Sequence, residues 1–237
     1  MALFNPRAAV EVVRFDERHF CLVIDNALLE PELQLQYAAS HRQEFRAVDF
    51  NAYPGVYLKA PAALVRELCD LFLWRLRRHF NARRSVDVHC RFSMVTLPPQ
   101  ALRPIQWLCH RDDGRLPPRL SMQASVLYLF HNPQLGGTSF FDPLQPVAET
   151  DALFEDARRL TPETFAHKYR LRYGYMREPN EYFHLLGNIP ARWNRLIVYD
   201  GGMLHTGDIG APEQLSDDPL TGRLTLNGFF TSTRNLT

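Results

Sequence analysis

The chain has 237 residues, 46% of them hydrophobic and 22% charged, with a formal net charge of +1 at pH 7. That length suits one large domain able to bury roughly 70% of its unfolded surface, so no disulfide or metal staple is needed for folding. The near-neutral balance argues against a dedicated nucleic-acid surface.

Residues 8–14 and 19–24 are rich in β-branched and apolar side chains and predict strands. Pro31, followed by apolar residues at helical spacing, predicts a helix from about 30 to 45, and the aromatics and Pro-Gly pair of 46–58 predict a loop. The stretch PAALVRELCDLFLWRLRRHF predicts the clearest helix. Pro61 suits its first turn, Leu64, Leu68, Leu71 and Phe72 share one face, and Arg75, Arg77 and Arg78 sit near its C-terminal end. After Asn81 the texture changes to short strand-like segments, VDVHCRFSMVTL, SMQASVLYLFH, RLIVYDGG and RLTLNGFFTS, punctuated by Pro, Gly and Asp. Residues 149–190, with some helical periodicity near 151–170, read as an insertion between strands. The expected plan is a single domain, 1–237: N-terminal strands and supporting helices over 1–85, then an antiparallel β core over 86–237.

Cys21, Cys69, Cys90 and Cys109 form no C-x-x-C pair and have irregular spacing, so they read as reduced thiols of a cytoplasmic protein. The N-terminal residues lack the pattern of a secretory signal, and no apolar run approaches the ~18 residues of a membrane span.

The segment QWLCHRDDGR places His110 and Asp112 two residues apart. On a strand, such residues share a face, and both could reach one metal ion; the alternative is a polar turn built on DDG. In VYDGGMLHTG, a Gly-Gly turn that tolerates positive φ could bring His205 back over the sheet; otherwise His205 is a capping or surface histidine. Two histidines and one carboxylate leave coordination positions open, which suits non-haem Fe(II). In GRLTLNGFF, strict alternation puts Arg223, Thr225 and Asn227 on one face and Leu224 and Leu226 on the other. An inward arginine calls for an anion, such as a dicarboxylate held bidentately with Thr225 assisting; an outward polar stripe fits the same alternation.

The ordered set His110-Arg-Asp112, His205, Arg223-Leu-Thr225 resembles the 2-oxoglutarate- and Fe(II)-dependent oxygenases. The phrase SVLYLFHNPQLGGTSFFDP is similar to their prolyl-4-hydroxylase-like branch, and the resemblance covers about 90 to 233, with a looser LVIDNALLEPE near 22–31. It implies a double-stranded β-helix (jelly-roll) core flanked by N-terminal helices, an α+β fold that is mainly β. It implies His110, Asp112 and His205 as Fe(II) ligands and Arg223 as the partner of the distal carboxylate of 2-oxoglutarate. Tyr128 matches a tyrosine that often donates to the same carboxylate, though it also reads as a core aromatic, and Thr225 matches a hydroxyl position. The implied activity is a dioxygenase that uses O2 to hydroxylate a small molecule, amino acid or peptidyl side chain; nucleic-acid demethylases also lie within the superfamily, but the near-zero net charge does not favour that, and no membrane partner is expected. Two other readings stay open: a cupin-like metal enzyme that takes no 2-oxoglutarate, and a metal-free jelly-roll binding module. The long gap between His205 and Arg223, the 149–190 stretch and the oligomeric state leave the substrate and assembly open. Trp107, Arg119 and the aromatic-basic run HKYRLRYGYMREPNEYF are candidate substrate contacts, and His89 and His131 read as strand-borne bystanders.

Overall fold

The computed structural model describes residues 3–47, 52–112 and 116–234. Strands β1 (Glu11–Arg14) and β2 (Phe20–Ile24) lead into α1 (Pro31–Ser40). Strands β3 (Arg46–Ala47) and β4 (Gly55–Lys59) precede α2 (Ala62–Leu71), and then β5 (Ala82–Val95) and β6 (Leu120–Tyr128) cross the domain. The second half runs β7 (Thr138–Pro143), α3 (Val147–Arg159), α4 (Pro162–Tyr169), β8 (Phe183–Ile189), β9 (Arg195–Asp200), β10 (Leu204–Gly207) and β11 (Arg223–Arg234).

All strand pairings are antiparallel among the described residues. The large sheet has the order β1-β2-β9-β6-β11-β5-β4-β3, and the small one β10-β7-β8. A bridge from His110 to His205 adds a short fourth edge to the small sheet beside β10. Counting from β5 and including the His110 segment, the eight core segments fall large, small, large, small, small, large, small, large between the two sheets, the expected jelly-roll order.

Period-two alternation sorts the side chains of β11 between two cores. Leu224, Leu226 and Phe230 point outward with Phe92 and Met94 of β5 and meet Leu64, Leu68, Phe72 and Leu76 from the α2 region. The Phe72 and Phe230 rings stack at 4.3 Å and 12°. Tyr128, Phe140, Ile197 and Tyr199 fill the space between the sheets. A third cluster seats α3 and α4 on the small sheet through Leu153, Phe165, Phe141 and Phe183, with Trp107 beneath them.

Several boundaries differ from the sequence expectation. The 30–45 helix stops at Ser40 and gives way to a 3-10 turn at Arg42–Glu44. The helix from 62 loosens into a π turn at Phe72–Leu76 and a 3-10 turn at Arg77–Phe80, which keeps its apolar face on the sheet. The 46–58 loop contains β4, whose Val56 and Leu58 pair with Met94 and Phe92; residues 48–51 of that stretch lie outside the described residues. The 149–190 stretch is not wholly inserted, because its residues 183–189 are β8, paired with β7 in the small sheet. Its helices are α3 and α4, and the gap before β11 is tied down by Arg42, which bonds Asp217 at 2.6 Å and Asp218 at 3.0 Å.

Candidate metal centre and its cavity

Two remote stretches meet on the inner face of the small sheet. His110 and His205 exchange both backbone hydrogen bonds at 2.9 Å, so their side chains start from directly opposed positions. The Asp112 amide donates to Gly201 O at 2.8 Å, and the Gly201 amide donates to Met122 O at 2.8 Å, which locks the claw loop to β6. Gly201 does not adopt positive φ, contrary to the expectation for the Gly-Gly turn; only Gly136 and Gly174 do so among the described glycines. What Gly201 supplies is closeness: a Cβ there would lie 3.1 Å from Met122 O and 3.5 Å from Asp112 Cβ.

The result is a compact triad, with one donor atom each from His110, Asp112 and His205, all within 4.8 Å of one another. His205 Nε2 lies 3.3 Å from Asp112 Oδ2, and His110 Nε2 lies 3.6 Å from Asp112 Oδ1. His205 Nδ1 sits 2.9 Å from Met203 O, so the Nδ1 proton is donated to that carbonyl and Nε2 is the ring nitrogen turned toward Asp112. Phe140 and Tyr199 pack against the His205 ring, with centroids at 6.3 and 4.7 Å. The side chains of His205 and Asp112 are 7% and 14% exposed, whereas that of His110 is 54% exposed and forms the open side of the triad.

The charges match a cation site. Burial disfavours the ionised form of Asp112, but the His205 imidazole, with smaller help from the other nearby basic groups, outweighs it and holds the carboxyl below its usual range. Burial likewise works against a charged His205, yet the Asp112 carboxylate wins and raises it. Desolvation of its ring and the His205 charge push His110 below its ordinary range, which favours the neutral imidazole with an available lone pair. Two imidazole nitrogens and one carboxylate in this arrangement fit a divalent metal ion with open coordination positions.

The triad lies in the wall of a cavity of about 800 Å³ between the sheets. Arg223 and Thr225 line it, as the alternation along β11 predicts. Arg223 is 5% exposed; its Nε donates to Leu135 O at 2.9 Å and Gly136 O at 3.2 Å, and its Nη2 to Gly137 O at 2.8 Å. Gly136 makes that carbonyl cradle possible, with φ of 81° and a Cβ position only 1.6 Å from Asp208 O. Among the described residues no carboxylate pairs with Arg223, and its Nη1 has no protein acceptor. Thr225 Oγ1 bonds Ser93 O at 3.3 Å. Tyr128 stands behind the wall: it is fully buried, and its hydroxyl meets Thr138 Oγ1 at 2.8 Å while Thr138 faces the cavity.

The candidate substrate contacts divide. Trp107 is 3% exposed and packs on Phe165 of α4 and on Tyr173, so it supports that layer and does not line the cavity. Arg119 is exposed and lies off the cavity. From HKYRLRYGYMREPNEYF only Tyr175 reaches the cavity; most of that wall comes from α3, through Val147, Phe154 and Glu155. His89, read as a bystander, also lines the cavity, stacked on Phe229 at 5.4 Å. Arg91, Tyr57 and Tyr199 are lining residues that sequence reasoning missed. Alternation along β5 carried the signal for Arg91, since His89, Arg91 and Ser93 share a face opposite Cys90, Phe92 and Met94.

No curated protein matches this sequence. Among solved structures the chain is similar to a Pseudomonas putida prolyl-4-hydroxylase, at 16% identity and TM-score 0.44 over 92% of this chain and 95% of that one. It is similar to HygX from Streptomyces hygroscopicus, solved with nickel and 2-oxoglutarate bound, at 12% identity and TM-score 0.43 over 91% and 83%. It is also similar to EvdO2 from Micromonospora carbonacea var. aurantiaca, complexed with 2-oxoglutarate, at 12% identity and TM-score 0.42 over 97% and 96%. Residues 6–230 match a family of unknown function, DUF6445, and the chain belongs to that family.

Proposed function

We propose that this chain is an Fe(II)- and 2-oxoglutarate-dependent oxygenase that hydroxylates a small molecule, amino acid or peptidyl side chain. The observation that carries the reading is the triad, with His205 Nδ1 committed to Met203 O and three ligating atoms converging within 4.8 Å. Bound there, a ferrous ion with 2-oxoglutarate would supply oxygen activation coupled to decarboxylation of the 2-oxo acid. The protein's share is placement and exclusion of water. Met203 O fixes the His205 tautomer, Gly201 O sets the Asp112 backbone, and Phe140 and Tyr199 shield the ring. Arg223, buried and with no carboxylate partner among the described residues, would take the distal carboxylate, with Tyr128 holding the hydroxyl of Thr138 in the same cavity wall. Among the described residues no helix is long and apolar enough to cross a membrane.

The test is Fe(II)-dependent conversion of 2-oxoglutarate to succinate with oxygen uptake, compared between the native chain and Asp112→Ala. Succinate lost with the carboxylate supports the reading; equal formation in both rejects it. A metal enzyme that takes no 2-oxoglutarate is favoured by one observation, that three carbonyls already satisfy Arg223 Nε and Nη2. Metal binding without 2-oxoglutarate binding would select that second reading.

A further inference from the structure

We propose that the substrate is an acidic peptide segment, whose reacting residue enters the cavity while the chain beside it lies in an adjoining groove. This rests on the oxygenase reading and names the substrate class for it. The groove has a volume of about 530 Å³. Its walls come from the 3-10 turns at Pro99–Ala101 and Pro104–Trp107 and from the end of α3. Ala52, Ile105 and Arg158 line both the groove and the cavity, so the two spaces are continuous. The cavity, at about 800 Å³, already lies in the range that takes a whole small-molecule ligand. A second space joined to it serves a substrate that extends past its reacting group.

The chemistry of the groove selects the chain. Leu102, Ile105, Ala157 and Leu160 make it apolar, and Arg103 and Arg158 stand exposed at its rim. Among the described residues no carboxylate pairs with either arginine, and Arg158 donates only Nη1, to Phe154 O at 3.2 Å. The acidic residues of α3 that face inward, Asp151 and Glu155, line the cavity and not the groove. Two available guanidinium groups over an apolar surface fit a segment that mixes carboxylate and apolar side chains. A nucleic-acid strand fits less well, because no aromatic ring lines the groove to stack a base and the net charge is only +1. The walls are set in advance. The Arg103 amide donates to Gln106 Oε1 at 2.7 Å and the Gln106 amide to Arg103 O at 2.8 Å, which fixes the backbone that carries Arg103. Leu102 and Ala157 share one buried cluster, so the two walls are packed together.

The experiment selects a phage-displayed random dodecapeptide library on the full chain holding Mn(II) and saturating 2-oxoglutarate, with a random single-stranded oligonucleotide pool run beside it. The retained peptides are expected to be enriched severalfold in Asp and Glu over the input. The most enriched sequence, made as a free peptide, should bind roughly three- to thirtyfold more weakly to the Arg103→Gln, Arg158→Gln double variant, the sum of two exposed charge contacts. Ala101→Trp, which fills the groove from an exposed position, should weaken it as well, and both variants should keep the native Kd for 2-oxoglutarate. With Fe(II) and O2 the native chain should add one oxygen atom to that peptide. One C–H becomes C–OH while 2-oxoglutarate and O2 become that hydroxyl, succinate and CO2. Retention of no peptide, retention without acidic enrichment, or oligonucleotide retained in place of peptide overturns the proposal. So does unchanged peptide affinity in the variants, a weakened 2-oxoglutarate Kd in them, or a bound peptide that gains no oxygen. Failure of Mn(II) or 2-oxoglutarate to bind the native chain is a different result, and rejects the oxygenase reading.

Discussion

Replacing Arg223 by Leu should remove most of the stabilisation that 2-oxoglutarate gives the folded protein. A ligand at one hundred times its Kd stabilises the native state by about 2.7 kcal/mol. For a chain of this length each kcal/mol moves Tm by roughly 2–4 °C, so a rise of roughly 5–11 °C is expected for the metal-loaded native protein. Arg223 is 5% exposed and has no carboxylate partner among the described residues, so a bound carboxylate would meet it desolvated. Truncating one partner of such a pair costs about 2–5 kcal/mol, at least about a thirtyfold rise in Kd. At the same ligand concentration the stabilisation then falls to about 1 kcal/mol or less, and the rise to roughly 4 °C or less. Thermal unfolding of native and Arg223→Leu proteins, each with Mn(II) and with or without 2-oxoglutarate, reads this directly. The variant's own Tm also drops, because the carbonyls of Leu135, Gly136 and Gly137 lose their donor, but that loss cancels in the difference. A full ligand-induced rise in Arg223→Leu would refute the anchoring role.

Tyr128→Phe should destabilise the fold by about 0.5–1.5 kcal/mol, the net worth of its buried hydrogen bond to Thr138, as measured by urea unfolding. Phe72→Ala empties the fully buried stack on Phe230 and should cost about 3–5 kcal/mol, with Fe(II) affinity retained wherever the variant stays folded. Metal affinity should fall with acidification, and the first competing proton should land on His205. Its charged form is favoured by Asp112, whereas desolvation and the neighbouring His205 charge favour the neutral form of His110. In the metal-free protein the raised His205 adds stability that is present below the unfolded imidazole value of about 6.5 and is lost as pH rises through the raised folded value. Mn(II) titrations across pH check the first point; affinity that stays flat as pH falls through the imidazole range would count against it.

The candidate triad was legible because its pattern is local: a His-x-Asp spacing and a histidine after a Gly-Gly turn stand out in the sequence, and alternation put Arg223 and Thr225 on the cavity face. What was hidden depends on partners far away in the chain. Strand β4 sits among aromatics that read as a loop until Met94 and Phe92 pair with it, and β8 hides behind the helices of the supposed insertion. Tyr128 matched a familiar position, yet only the fold shows Thr138 standing between it and the cavity. Gly201 looked like a positive-φ hinge, while its use is close approach to Met122 and Asp112, a tertiary fact with no local signature. Arg91 was readable by the same period-two test applied to β11, but its ring partners lie on two other strands.

The central claim is that one divalent ion is held jointly by His110, Asp112 and His205. Anaerobic titration of Fe(II), or of Mn(II) followed by its electron paramagnetic resonance, into native and His205→Ala proteins tests it most directly. One ion per native chain and loss of that binding in the variant is the predicted result; no stoichiometric binding, or equal binding by both proteins, contradicts it.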